Sequence, residues 1–362
     1  MKIGILGAGQ LGRMLALAGK PLGLDCVFLD PAEEACAASL GTHLRAAYED
    51  PVALQALCAQ SECITFEFEN VPGTVLAQLA AQRPTYPPAL ALTTGQDRLL
   101  EKRLFDQLGI PVPRYLPVAS REALGLAARS LGFPCVLKTR RLGYDGKGQA
   151  LLRSEADLDG AWARLGQSAL ILESFVAFQR ELSCLAVRGR EGELRFYPVV
   201  ENQHREGILR RSIPQADDPL QAEAEDYTRR VAEHFGYVGV LAFEFFVADG
   251  RLLANEIAPR VHNSGHWTIE GAVCSQFENH LRAVAGLPLG ETALRGPCAM
   301  LNLIGSEPPA EALLAIPGLH LHRYGKAPKP GRKIGHLTLT AGEAAALAPR
   351  LAAAQALVAA SG

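Results

Sequence analysis

The sequence predicts a mixed fold, α/β in its first part and α+β after it. Three observations carry that expectation. Residues 2–30 read strand, glycine turn, helix, strand, the pattern of a βαβ unit. Residues 180–257 are mainly β in pattern, with one helix around 219–236. Beyond Gly286 the chain breaks into short strands and turns. A length of 362 residues suits two or three domains. The expected boundaries are 1–95 for a Rossmann-like unit and 96–290 for a central unit containing a smaller lobe at about 115–175. A small β-rich C-terminal unit at 291–362 completes the chain.

The elements follow in order. MKIGILGAG is an apolar run ending in glycines, and residues 10–20 place Leu11, Met14, Leu15 and Ala18 on one helical side. DCVFLD (25–30) is a second strand and CITFEFENV (63–71) a later strand of the same sheet. The Pro-rich RPTYPP (83–88) lies near the end of the unit. QDRLLEKRLFDQLG (96–109) is a helix stopped by Gly109, ahead of Pro111 and Pro113. FPCVLKTR and QALLR are strands around the glycine turn GYDGKGQ, followed by a helix near 155–165 and the strand ALILESF (169–175). MLNLIG (300–305) and IGHLTLT (334–340) are strands, and the Ala-rich segment 342–360 favours helix.

Composition narrows the setting. Apolar residues make up 48% and charged residues 20%, enough to build real cores. A net charge of −2 points to no nucleic-acid or membrane-surface partner. The eight cysteines form no CxxC pair and sit mostly in apolar runs, as buried thiols in a reducing cytoplasm do. The N-terminus reads as strand and turn rather than as a signal peptide. No uninterrupted apolar run reaches the ~18 residues of a transmembrane span. A cytoplasmic protein is expected.

Several motifs offer chemistry. Gly7-Ala8-Gly9-Gln10-Leu11-Gly12 fits GxGxxG between a strand and a helix, where a backbone can approach an anion. Asp30 closes the second strand, at the place of a ribose-binding acid. The motif alone leaves two readings open: the site of an NAD-dependent dehydrogenase, or a tight turn that only packs helix on sheet. Lys138 ends a strand, and Gly143-Tyr144-Asp145-Gly146-Lys147-Gly148-Gln149 follows it. Alternating glycines there make a loop whose N–H groups can cover phosphates, beside Arg140 and Arg141. A solvated basic hairpin tip is the plainer alternative, and no GxxxxGK[ST] loop occurs. Glu173 and Glu181 flank SFVAFQR, either as surface acids or as acceptors for ribose hydroxyls. Lys326 and Pro330-Gly331-Arg332-Lys333 form a basic cluster, either a solvated turn or a clamp on a phosphate.

The most informative segment is the hairpin FEFFVADGRLLANEIAP and the basic loop after it. Glu244 lies among Phe243, Phe245 and Phe246, where an unpaired carboxylate is costly. A two-residue turn at Asp249-Gly250 would set Glu244 opposite Asn255 and send Glu256 to the other face. For both acids to share a metal the connection must be odd-numbered, for instance a three-residue turn with a bulge at Gly250. Asn255 joins them only if the strand frays ahead of Pro259. In the loop, His262 and His266 are four apart, but Asn263-Ser264-Gly265 is poor helix and no third zinc ligand is evident. An anion pocket of Arg260, His262, Ser264 and backbone N–H groups fits better.

Together these features resemble the ATP-grasp ligases. GAGQLGRMLALAGKPLGL, TFEFENVP, QDRLLEK, GYDGKGQ, ENQHREGILR, NEIAPRVHNSGHWT and KPGRKIGHLTL are similar to one family within them, the N5-carboxyaminoimidazole ribonucleotide synthetases. The similarity runs from residue 1 to about residue 340. It implies an ATP-grasp architecture, with a Rossmann-like pre-ATP-grasp domain before it and a small β-rich C-terminal domain after it. It also implies a reaction of ATP, bicarbonate and 5-aminoimidazole ribonucleotide, giving the N5-carboxy product, ADP and phosphate through carboxyphosphate. Mg2+ is the implied cofactor, with neither NAD nor biotin, and a homodimer the implied assembly.

Site residues carry over by motif as implications of the resemblance. Lys138 and Gly143, Tyr144, Asp145, Gly146, Lys147, Gly148 and Gln149 would hold the ATP phosphates. Glu173, Ser174, Phe175, Val176 and Glu181 would hold adenine and ribose, with Arg98, His204, Asn255 and Glu256 adding nucleotide contacts. Glu244 and Glu256 would bind Mg2+. Gln10, Leu11, Tyr144, Asp145, Lys326 and Arg332 would face the aminoimidazole ribonucleotide, which gives the first glycine turn a polar ligand other than a dinucleotide. Arg260 and His262 would be the catalytic pair at bicarbonate. The nearest alternative is another ATP-grasp carboxylase or formyl-transfer ligase with a different acceptor.

Overall fold

A computed structural model describes residues 1–143 and 146–361, and three β-sheets organise them. The first sheet holds β1 (Lys2–Leu6), β2 (Asp25–Leu29), β3 (Thr42–Leu44) and β4 (Cys63–Phe66) in the order β3-β2-β1-β4, all parallel. Parallel strands need crossovers, and the helices Gln10–Gly19 and Pro51–Gln60 supply them. Leu11, Met14 and Leu15 are buried against the sheet, and Ala18 packs beside them. The strand expected over 63–71 ends at Phe66, and Glu67 beyond it folds its side chain back toward the glycine turn.

The second sheet is a small antiparallel one. It contains β5 (Tyr115–Val118), β6 (Cys135–Thr139), β7 (Gln149–Leu152) and β8 (Leu170–Ser174) in the order β5-β8-β6-β7. The helices Arg121–Leu131 and Leu158–Leu165 close its core around Leu124, Leu137, Leu152 and Leu172. β6 and β7 form the expected hairpin, with Lys138 opposite Gln149.

The third sheet has nine antiparallel strands. They are β9 (Arg180–Arg188), β10 (Leu194–Phe196), β11 (Val200–Arg205), β12 (Ile208–Pro214), β13 (Gly239–Ala248), β14 (Arg251–Ala258), β15 (Cys298–Ile304), β16 (Leu319–Arg323) and β17 (Lys333–Thr340). Their order is β14-β13-β9-β11-β12-β15-β17-β16, with β10 also paired to β9. The C-terminal strands therefore extend the central sheet, through Arg211 opposite Leu301 and Ser212 opposite Met300. The helix Ala344–Ser361 packs Leu347, Leu351 and Ala354 onto them. It is the one helix among the described residues long and apolar enough to pass for a membrane span.

The β13–β14 hairpin corrects one expectation. Ala248 pairs with Arg251, so the turn is the simple two-residue one, with Asp249 and Gly250 both at positive φ. The odd residue sits elsewhere. Phe245 pairs with Ala254 but Glu244 with Glu256, so Asn255 is an extra residue bulged out of β14. The two acids do need an odd residue to share a face, and it lies at Asn255 rather than at the Gly250 turn. The strand does not fray at Asn255 either, since pairing resumes through Ile257 and Ala258. One inserted residue turns Glu256 onto the face of Glu244.

Candidate active site

Three adjoining hollows gather most of the residues singled out from sequence. The largest, about 550 Å³, is lined by Lys138, Gln149, Glu173, Ser174, Phe175, Val176, Glu181 and His204. A second, about 240 Å³, is lined by Gln10, Leu11, Arg98, Gly143, Glu244, Glu256, Arg260 and His262. The third lies over Gln10, Lys147, Lys326 and Arg332. Leu11 belongs to the core as well as to the hollow. Gly146 and Gly148 lie in the β6–β7 turn, both at positive φ. Tyr144 and Asp145 lie outside the described residues. Asn255 lines none of the three; its carbonyl accepts from Lys102 at 2.8 Å.

In the large hollow, β6 and β8 bring Lys138 beside Glu173, with Nζ donating to Oε2 at 2.9 Å. Lys102 approaches the same oxygen at 3.9 Å. Burial pushes the Glu173 carboxyl up, but Lys138 and then Lys102 outweigh it and hold the group at about 2. Its other oxygen is buried and has no partner among the described residues, an acceptor in a lining otherwise part apolar. Glu173 is thus a buried residue and no surface acid. Glu181 sits 2.9 Å from His204 Nδ1, and that carboxylate raises the imidazole against the effect of burial.

In the second hollow, β13 and β14 present the two carboxylates as cross-strand neighbours. Burial first and Glu256 second push Glu244 up to about 7. Glu256 is held below the ordinary range, because the Arg98 guanidinium outweighs its burial and bonds it at 2.7 Å. Arg260 pairs with Glu69 at 2.7 Å and donates to the Val261 carbonyl at 2.8 Å. His262 lies 3.4 Å from Glu244, and its Nδ1 is 2.8 Å from Ser264 Oγ. Burial and then Arg260 drive its imidazole well below the usual value, so it is neutral near pH 7. His266, four residues on, is buried against Phe277, Tyr324 and His336. Two acids facing one another across strands on the wall of one hollow, with Arg98 bonded to Glu256, suit a divalent ion on chemical grounds.

The first glycine turn departs from expectation. Ala8 N–H donates to Asp30 Oδ2 at 2.8 Å and Gly9 N–H to Glu67 Oε1 at 2.7 Å. These amides are taken by the protein's own carboxylates, which would repel a pyrophosphate at the same place. The polar ligand expected on them is Asp30 and Glu67. Gln10 and Leu11 face the hollow beside the turn, and the Gln10 side chain accepts from Lys326.

Sequence reasoning gave no role to Glu67, Glu69, Glu101 or Lys102. All four sit in stretches noted for their similarity, TFEFENVP and QDRLLEK. The signal available was the one used for Glu244: an acid within an apolar run is expensive unless something holds it.

Residues 1–96 match the ribonucleotide synthetase preATP-grasp domain, 103–277 the ATP-grasp domain, and 298–350 the phosphoribosylaminoimidazole carboxylase C-terminal domain. The chain is 58% identical to an N5-carboxyaminoimidazole ribonucleotide synthase of Pseudomonas aeruginosa, over 99% of each. It belongs to that family. A crystal structure of the Thermus thermophilus synthetase superposes with a TM-score of 0.94 at 54% identity, covering 98% of both chains. The family also includes an Aspergillus clavatus synthase solved with ADP and 5-aminoimidazole ribonucleotide. That structure has a TM-score of 0.92 at 30% identity, over 99% of this chain and 98% of the other. Family membership brings the ATP-grasp fold and places the chain among the ATP-dependent ligases of purine synthesis.

Proposed function

We propose that this chain carboxylates 5-aminoimidazole ribonucleotide on its exocyclic amine, using ATP and bicarbonate. The observation that carries the proposal is the cross-strand pair Glu244–Glu256, set with Arg98, Arg260 and His262 on the wall of one hollow. In this reading Lys138 and the turn 143–149 hold the ATP phosphates. Glu173 to Val176, Glu181 and His204 hold adenine and ribose. Gln10, Leu11, Tyr144, Asp145, Lys326 and Arg332 face the ribonucleotide.

Glu244 and Glu256 would hold Mg2+, which in phosphoryl transfer neutralises charge on the moving group. A bicarbonate oxygen bonds to the γ-phosphorus as the bond to ADP breaks, giving carboxyphosphate. The carboxyl group of carboxyphosphate then passes to the ribonucleotide nitrogen, with phosphate released and the nitrogen losing a proton. Arg260 supplies a permanent cation for the oxyanions, and neutral His262 supplies a hydrogen bond without added charge. The turn over the phosphates excludes water that would hydrolyse carboxyphosphate. A homodimer in the cytoplasm completes the proposal.

The test is ADP release by purified protein with ATP, Mg2+ and bicarbonate, with and without the ribonucleotide. Turnover dependent on the ribonucleotide is expected. Its absence would overturn the acceptor, and an active Glu256→Ala would overturn the metal role.

A further inference from the structure

The helix Arg98–Gln107 turns one face to β14, the edge strand of the large sheet. Arg98, Glu101, Lys102 and Phe105 share that face at spacings of i, i+3, i+4 and i+7. Phe105 stacks on Phe243 at 4.8 Å. Lys102 Nζ donates to the carbonyls of Ala254 at 2.9 Å and Asn255 at 2.8 Å. Glu101 accepts from the Ile257 N–H at 2.7 Å. These contacts fall on the bulge and on the residues either side of it.

An edge strand needs its outward groups covered, and neutral side chains or water would suffice for that alone. Here the cover is a lysine and a glutamate, each only 1% exposed, and burying such charges is costly. The bulge offers a reason for them. Without it the register slips by one and Glu256 leaves the face of Glu244. Lys102 draws two successive carbonyls toward one point, which a regular strand, pointing them to opposite sides, would not allow.

We propose that Lys102 and Glu101 are positioning residues: they lock the extra residue at Asn255 and so hold Glu256 opposite Glu244. The inference rests on the reading that this pair binds a divalent cation. Bonds from partners behind the ligands commonly govern metal affinity by roughly 10–100-fold.

The experiment uses the full chain with ADP and Mn2+ as the probe, its binding read by paramagnetic resonance. Amide exchange at residues 254–257 and the unfolding midpoint are measured on the same samples. Lys102→Met is expected to weaken Mn2+ binding roughly 10–100-fold and to speed exchange at Ile257, while exchange in β1 and β2 stays unchanged. Mn2+ affinity within about twofold of the parent, with faster exchange at 254–257, would reduce Lys102 to an edge cap and overturn the inference. Lys102→Gln, which keeps a donor, is read beside it, with an intermediate affinity expected. Failure of both variants to fold would assign Lys102 to stability and also overturn it. Glu256→Gln separates the two levels. If it abolishes Mn2+ binding while Lys102→Met does not, positioning alone has failed. If it too leaves binding intact, the metal reading has failed and takes the positioning role with it.

Discussion

The turns at Gly7–Gly9 and Gly143–Gly148 are both glycine-rich and both follow a buried strand, yet they meet opposite charge. Around the first stand Asp30 and Glu67, which accept from the amides of Ala8 and Gly9. Around the second stand cations: Lys138 at its base, and Arg98 with Gly143 on the wall of the carboxylate hollow. The first is closed from within and fixes a helix on its sheet. The second is tied at its base by Thr139 N–H donating to the Gly148 carbonyl at 2.8 Å. Glycine lets a backbone come close; the neighbouring charges decide what it comes close to.

The comparison can be pressed at four places. The largest effect is expected from Glu173→Gln, which leaves Lys138 and Lys102 without their buried counter-charge. A loss of about 3 kcal/mol in urea unfolding is expected. The Glu173 carboxyl lies at about 2 in the fold, below its ordinary 4.5. Its stabilisation is therefore present above the ordinary value and fades as pH falls from there toward 2. The variant should lack that part of the acid profile; an unchanged profile would show that the lysines do not depend on this acid.

Next comes Gly7→Ala. Gly7 has φ +101, and an added Cβ would meet Glu67 Oε1 at 2.6 Å. A loss of about 2–3 kcal/mol in stability is expected, without a selective change in the KM for ATP. A selective rise in that KM would mean the first turn also serves the nucleotide. Gly148→Ala, at φ +73 with an added Cβ 2.5 Å from Thr139 Oγ1, should also cost about 2 kcal/mol in stability and, unlike Gly7→Ala, raise the KM for ATP roughly tenfold. Steady-state kinetics with unchanged KM would remove the second turn from phosphate binding. The smallest effect belongs to Glu67→Gln, which keeps an acceptor for Gly9 N–H. Thermal unfolding should show a change below about 1 kcal/mol. A larger loss would mean that the charge, and not the acceptor, holds the turn.

Much of the fold was legible because it rests on local pattern. The βαβ opening, the β6–β7 hairpin and the helix before Pro111 follow from periodicity and from glycine and proline punctuation. Parts of the site were legible for the same reason. Lys138 and Glu173 each stand near a strand end, and Glu244 betrays itself among phenylalanines. The partners of these residues were not legible, because they come from afar in the chain. Glu69 reaches Arg260, Arg98 reaches Glu256, and Glu67 reaches Gly9 only after folding.

The sequence by itself determined that Glu244 and Glu256 need an odd residue between them to share a face. That follows from the two-residue period of a strand and holds in any packing. It could not say where the odd residue lies, since a bulge costs little wherever its freed groups find partners. Tertiary structure decided that. Lys102 and Glu101 reach Asn255 and its neighbours from more than 150 positions away, and only the docked helix can offer a buried strand edge those bonds.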